Sequence, residues 1–222
     1  MTEPFPPEPW HLRGDMFAGL WLVSRQELPD WPLPPGVRPV RLGRRCVLVT
    51  FWVDYRPGGT LAYRELLVAL AVRDGRGPAA CAVEVWVDDE RSLAGGRVLW
   101  GVPKERGHFV FGGTAPTSRA RMSVERGEPA GDTVGPSVTG LHRDLLPLPG
   151  RPPVRGRLLQ PHPVHGVCEV PMRLSGRVRL GRARLVAEPG SPLDFLDGRK
   201  VLLAASVRGF RMTVGSGEGR PR

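Results

Sequence analysis

The run Ser92-Leu-Ala-Gly-Gly-Arg-Val-Leu-Trp-Gly-Val-Pro-Lys104-Glu-Arg-Gly107 holds one of the two lysines in a chain of 222 residues; the other is Lys200, against thirty arginines. Where a surface cation is all that is needed, this chain uses arginine. Arginine brings charge and a hydrogen-bonding fork but stays protonated in proteins, whereas a lysine can lose its proton and attack a carbonyl. The frame around Lys104 is unusual too. Gly95, Gly96 and Gly101 punctuate the run, Pro103 fixes the backbone just before the lysine, and Val98, Leu99, Trp100 and Val102 are apolar. Such a frame suits an amine held in a dry wall. Most lysines are solvated surface residues, and on composition alone that reading stays open.

Working outward, the flanks read as sheet. Cys46–Val53 is β-branched and aromatic, and Arg56-Pro-Gly-Gly59 turns the chain. The next strand is expected over 61–73. One face carries Leu61, Tyr63, Glu65, Leu67, Ala69 and Ala71, and the other Ala62, Arg64, Leu66, Val68, Leu70 and Val72. Glu65 therefore stands on an apolar face, where it is either a functional carboxylate or half of a buried ion pair. Asp74-Gly-Arg-Gly77 reads as a hairpin turn, Ala79–Val87 as a strand, and 88–94 as the start of a short helix with acids in its first turn. Further strands are expected at 10–23, 109–112, 119–125, 154–160, 167–174, 176–186 and 201–214. Residues 127–153, rich in Gly, Pro, Arg and Thr, read as irregular loop with one short helical turn near Leu141. Many short strands at turn-limited spacing argue for a barrel or sandwich.

Gly96-Arg97-x-x-x-Gly101-x-Pro103-Lys104 resembles the Gly-Arg-Glu-x-x-(Gly/Ala)-(Phe/Tyr)-Pro-Lys-Lys segment of the acetoacetate decarboxylase family. The flanks keep the family's order. Ala62-Tyr63-Arg64-Glu65 resembles its Tyr-x-Glu, Val85–Glu90 its Tyr-Leu-Asp-x-Glu, and Pro34–Val40 its Pro-x-Pro-Leu. Pro192–Leu196 followed by Val201–Val207 is similar to the family's close. The resemblance spans about residues 10–214. It implies a mostly β fold, a closed antiparallel β-barrel with a few short helices, assembled into homo-oligomers. It also implies a Schiff base between Lys104 and a small keto acid, with no metal or other cofactor. Decarboxylation is the leading reaction, with an aldolase-dehydratase or a non-catalytic ligand-binding member as alternatives. Glu65 is the implied partner of Lys104 in catalysis, and Arg13, Tyr63 and Trp100 are the implied substrate contacts. Arg13 stands about one residue from where the family places an active-site arginine. Arg97 is expected to brace the lysine segment.

One departure from the family's pattern matters: Glu105 replaces its second lysine. An anion about 5 Å from the amine favours the charged form by roughly 3 kcal/mol at an effective dielectric of about 20. Neighbours on an extended segment point to opposite faces, so Glu105 is expected to be directed away.

Net charge is +10 and the sequence pI about 10.9, which raises nucleic acid as a partner. The arginines, however, form no run of five or more and no basic helix, so a nucleic-acid partner is not expected. Cys46, Cys81 and Cys168 are odd in number and lack a C-x-x-C pair, as in a cytoplasmic protein with reduced thiols. The N-terminus carries no basic segment followed by an apolar core, and no apolar run is long enough to span a bilayer. His162, His165 and Cys168 match no standard zinc spacing, so no metal site is expected. The domain reading is a flexible lead over 1–9, one domain over 10–214 and a disordered tail over 215–222.

Overall fold

The computed structural model of the chain describes residues 4–126 and 133–216. Residues 1–3 of the expected lead, 127–132 of the expected loop and 217–222 of the tail expected over 215–222 lie outside the described residues. Twelve strands form one sheet. They are β1 (Trp10–Ser24), β2 (Arg38–Pro39), β3 (Arg41–Leu42), β4 (Arg45–Tyr55), β5 (Arg64–Asp74) and β6 (Gly77–Val87). After helix α1 (Glu90–Trp100) come β7 (Lys104–Gly112), β8 (Thr117–Arg126), β9 (Thr133–Pro147), β10 (Val154–His162), β11 (Gly166–Ala187) and β12 (Leu203–Val214). Two 3-10 turns, Arg25–Glu27 and Asp194–Leu196, complete the described elements. The fold is mostly β, with fewer helices than strands, as the sequence suggests.

Strand pairing runs in a ring. β1 pairs with β4, β4 with β5, β5 with β6, β6 with β10, β10 with β11, β11 with β12, and β12 with β1. A second arc, β6–β7–β8–β9–β11, returns to the same two strands. Two apolar cores lie against the sheet. Along β5, Leu66, Val68, Leu70 and Val72 enter the first core, while Leu67 packs on the second, which holds Tyr55, Tyr63, Trp10 and Trp100. Period-two alternation thus serves two cores at once, which is why both faces of this strand read as apolar.

Three expectations are corrected. The sheet is mixed, because β6–β7 and β6–β10 are parallel. Parallel neighbours need a crossover connection, and α1 supplies the one between β6 and β7. The helix is capped by Asp89, whose side chain accepts from the Ser92 amide at 2.8 Å, and it runs through Gly95-Gly96 to end at Gly101 in the left-handed conformation (φ 67°). Secondly, 133–147 is a long strand and 141 is not helical. Its inward positions are Val138, Gly140, His142 and Asp144, while Leu141 and Leu145 face out, so the usual apolar-in pattern is inverted. Thirdly, 167–174 and 176–186 are one strand. Gly176, expected as the first residue of the second of these strands, marks a bulge against β12 between Ser175 and Arg177, where a Cβ would meet Val207.

Candidate active site

Lys104 is the first residue of β7 and pairs with Val85 of β6. Strand alternation sends its side chain inward and Glu105 out: Lys104 is 4% exposed, Glu105 solvent-exposed. Helix α1 lies against the lysine stem. A Cβ on Gly96 would come 2.6 Å from Lys104 Cδ, and one on Gly95 would strike the Trp10 ring, so the glycine pair permits this approach. Arg97 Nε donates to the Lys104 carbonyl at 2.6 Å and braces the segment.

The amine has three acceptors, as an ammonium requires. Lys104 Nζ donates to Glu65 Oε2 at 2.9 Å, to Ser92 Oγ at 2.8 Å and to Tyr63 Oη at 3.4 Å. The rings of Tyr63 and Trp10 lie 5.0 and 5.8 Å from Nζ. Glu65 is itself only 4% exposed, and Tyr55 Oη donates to its Oε1 at 3.1 Å and Tyr63 Oη to its Oε2 at 3.4 Å. Burial, and next the charge of Glu65, hold both phenols well above the usual tyrosine range, so both remain donors that pin the carboxylate. On its other side Glu65 borders a cavity of about 240 Å³. Apart from Glu65 and Tyr55 its walls are apolar, among them Met16, Phe51, Leu67, Leu158, Met172 and Met212.

Of the residues expected at the site, Lys104, Glu65 and Tyr63 come together. Trp100 stands one layer back, edge-on to Trp10 at 4.7 Å between centroids, with Nε1 donating to Glu8 at 3.0 Å. Arg13 is on the outer face. Its Nε donates to the Pro57 carbonyl at 2.6 Å and its guanidinium lies over Gly58, so it clamps the turn between β4 and β5. The lead, expected to be loose, is anchored over its described part by the Glu8 bond and by Trp10 Nε1 donating to Pro6 O. Ser92 and Tyr55 were not foreseen. Ser92, Gly96 and Trp100 share a helix face at i, i+4 and i+8, and Tyr55 continues the alternation Phe51, Val53; these spacings could have found both.

Glu105 lies near Glu84 on the far side of the sheet. Burial chiefly, with a smaller contribution from Glu105, pushes the Glu84 carboxyl up to about 7, although Trp31 Nε1 donates to it at 2.8 Å. Among the described residues no group of three or more His, Cys, Asp and Glu could hold a metal ion. Among the described residues no helix is long and apolar enough to cross a membrane, and the three cysteines form no disulfide.

This arrangement, a buried amine on a carboxylate inside a ring of strands, sits in a fold shared with acetoacetate decarboxylase and related enzymes. Acetoacetate decarboxylase from Legionella pneumophila matches with a TM-score of 0.71 at 16% identity, over 99% of this chain and 90% of that one. The enduracididine biosynthesis enzyme MppR with HEPES bound matches at 0.64 and 20%, over 98% and 89%. The same enzyme with the condensation product of pyruvate and imidazole 4-carboxaldehyde matches at 0.62 and 19%, over 98% and 91%. The family model for acetoacetate decarboxylase (ADC) matches residues 2–138, and the chain belongs to that family. No curated protein matches it.

Proposed function

We propose that the protein is a Schiff-base lyase in which Lys104 condenses with the carbonyl of a small keto acid, and that the reaction is a decarboxylation. The observation that carries this reading is the buried Lys104 amine 2.9 Å from the buried Glu65 carboxylate. The ammonium passes a proton to Glu65, and the freed nitrogen pair attacks the carbonyl carbon. The carbinolamine loses water to give a protonated imine, which is an electron sink. The bond from the α-carbon to the carboxylate breaks, carbon dioxide leaves, and its electron pair passes into the imine to form an enamine. A proton returned to carbon, with Glu65 as the nearest acid, regenerates the imine, and water then releases the ketone and the amine. Tyr55 and Tyr63 hold Glu65 in place throughout.

A second reading has a specific motive. MppR, a neighbour in fold, was solved with the condensation product of pyruvate and imidazole 4-carboxaldehyde, and an enamine at Lys104 formed by loss of an α-proton would attack an aldehyde. Carbon dioxide release from a panel of β-keto acids separates the two. Stoichiometric release is expected from the decarboxylase. Consumption of a keto acid together with an aldehyde, without gas release, would replace it by the aldolase-dehydratase, and neither outcome would leave a ligand-binding protein. We further propose a cytoplasmic homo-oligomer. Exposed Leu145, Leu146, Leu202 and Leu203 support the assembly, and a monomer by light scattering at all concentrations would contradict it.

A further inference from the structure

We propose that the carbonyl compound taken at Lys104 carries an uncharged apolar tail, alkyl or aryl, seated in the cavity between Glu65 and Val154. The inference rests on the Schiff-base reading and gives it a substrate class. The cavity has a direction. Glu65 at one end is buried, while Val154 at the other is 53% exposed, so the reacting end lies deep and the tail extends toward the surface. Seven strands contribute to its walls, and among the described lining residues Glu65 is the one that carries a charge. The chain has thirty arginines, and none of those among the described residues lines this space.

A carboxylate on the tail would lose its hydration with no cation to replace it, which weakens its binding. The carboxylate that is lost in the reaction must therefore lie at the Lys104 end, where Glu65 is neutral once it has taken the amine's proton. The size of the space fits a tail better than a methyl group. An apolar cavity of about 150 Å³ takes a benzene ring, and this one is about 240 Å³. Met16, Met172 and Met212 in its wall are unbranched and adaptable, as suits a chain of variable shape.

The test is a chain-length series on the full, unmodified protein. Neutral methyl ketones from 2-butanone to 2-octanone are titrated by thermal shift. Each added methylene should tighten binding about four-fold until the space is filled. A ketone of equal length ending in a carboxylate should bind at least about ten-fold more weakly. Gly156 supplies the control for place. It lines the cavity on β10, and a Cβ there would meet only Met172 Cε, at 3.7 Å. Gly156→Leu should fill the space and flatten the series. A flat series in the unmodified protein, or equal binding of the carboxylated tail, overturns the proposal whether or not the variant folds. The two readings fail separately. A steep series without any borohydride-reducible adduct keeps the apolar tail and removes the Schiff base. An adduct formed equally well from short and long keto acids does the reverse.

Discussion

Lys104 with Glu65 on β7 and β5, and Arg208 with Asp144 on β12 and β9, are both ion pairs drawn into the sheet, but they hold different cations in different surroundings. Around Asp144 the carboxylate is fully engaged. Ser206 Oγ donates at 2.6 Å and His142 Nε2 at 3.0 Å to one oxygen, and Arg208 donates at 3.2 Å to the other. Arg208 is partly exposed, also bonds Ser118, and ties three strands together. Its guanidinium keeps its proton whatever happens beside it. Around Glu65 the cation is an amine, which can give its proton away, and an apolar cavity lies against the carboxylate. A buried charge is therefore weak grounds for a site. An amine that can become neutral next to unfilled apolar space is stronger, because the chemistry needs both.

The largest contrast should appear in stability. Asp144→Ala leaves Arg208 and the His142 ring without their partner, and is expected to cost about 3–5 kcal/mol in denaturant unfolding. Trapping at Lys104, measured per folded molecule, should hardly change. An Asp144 variant that keeps its stability but loses trapping would reverse the assignment of the two pairs. Acid should weaken this cluster as well. Burial chiefly lowers the His142 pKa below 6.5, and Nδ1 has no partner, so protonation would add a buried N–H with no acceptor. The contribution of His142 is thus present at neutral pH and is lost as the pH falls below about 6.5.

Glu65→Gln should show the opposite balance. The rate is expected to fall on the order of 10²-fold, about 2.7 kcal/mol in the barrier, for loss of the proton acceptor. Unfolding stability should drop by only about 1 kcal/mol, since the amine can be buried neutral. A stability loss as large as that of Asp144→Ala, with the rate kept, would make the Lys104–Glu65 pair structural.

Glu84 sharpens the comparison as a half-buried carboxylate with no cation paired to it among the described residues. Its folded pKa, about 7, lies above the ordinary 4.5, so the folded state holds the proton longer than the unfolded chain. Stability therefore falls as the pH rises from about 4.5 to about 7 and is level beyond. Glu84→Gln, which keeps an acceptor for Trp31, should raise stability at pH 8 by up to about 2 kcal/mol, allowing for partial exposure, and should change nothing at pH 4. Equal effects at both pH values would remove the titration account.

The reactive pair was legible for physical reasons. Lys104 stood out against an arginine background, and alternation alone put Glu65 on the face that lines the cavity and Glu105 on the other. The inward residues of β9 were not legible, because the sheet buries a charged network there and the hydrophobic pattern runs backwards along 141–145. The parallel pairing at β7 was hidden too, since it depends on where α1 lands. Arg13 shows the limit of motif position. It stands close in sequence to the expected arginine, but the pleat points its side chain outward onto the β4–β5 turn.

The most direct test of the central claim is borohydride reduction in the presence of keto acids, with the adduct located by peptide mass mapping. We expect a reduced adduct on Lys104 and none in Lys104→Arg, which keeps the charge and removes the amine that can act. An adduct that persists in Lys104→Arg, at Lys200 or the N-terminus, or no adduct from any keto acid, would contradict the account.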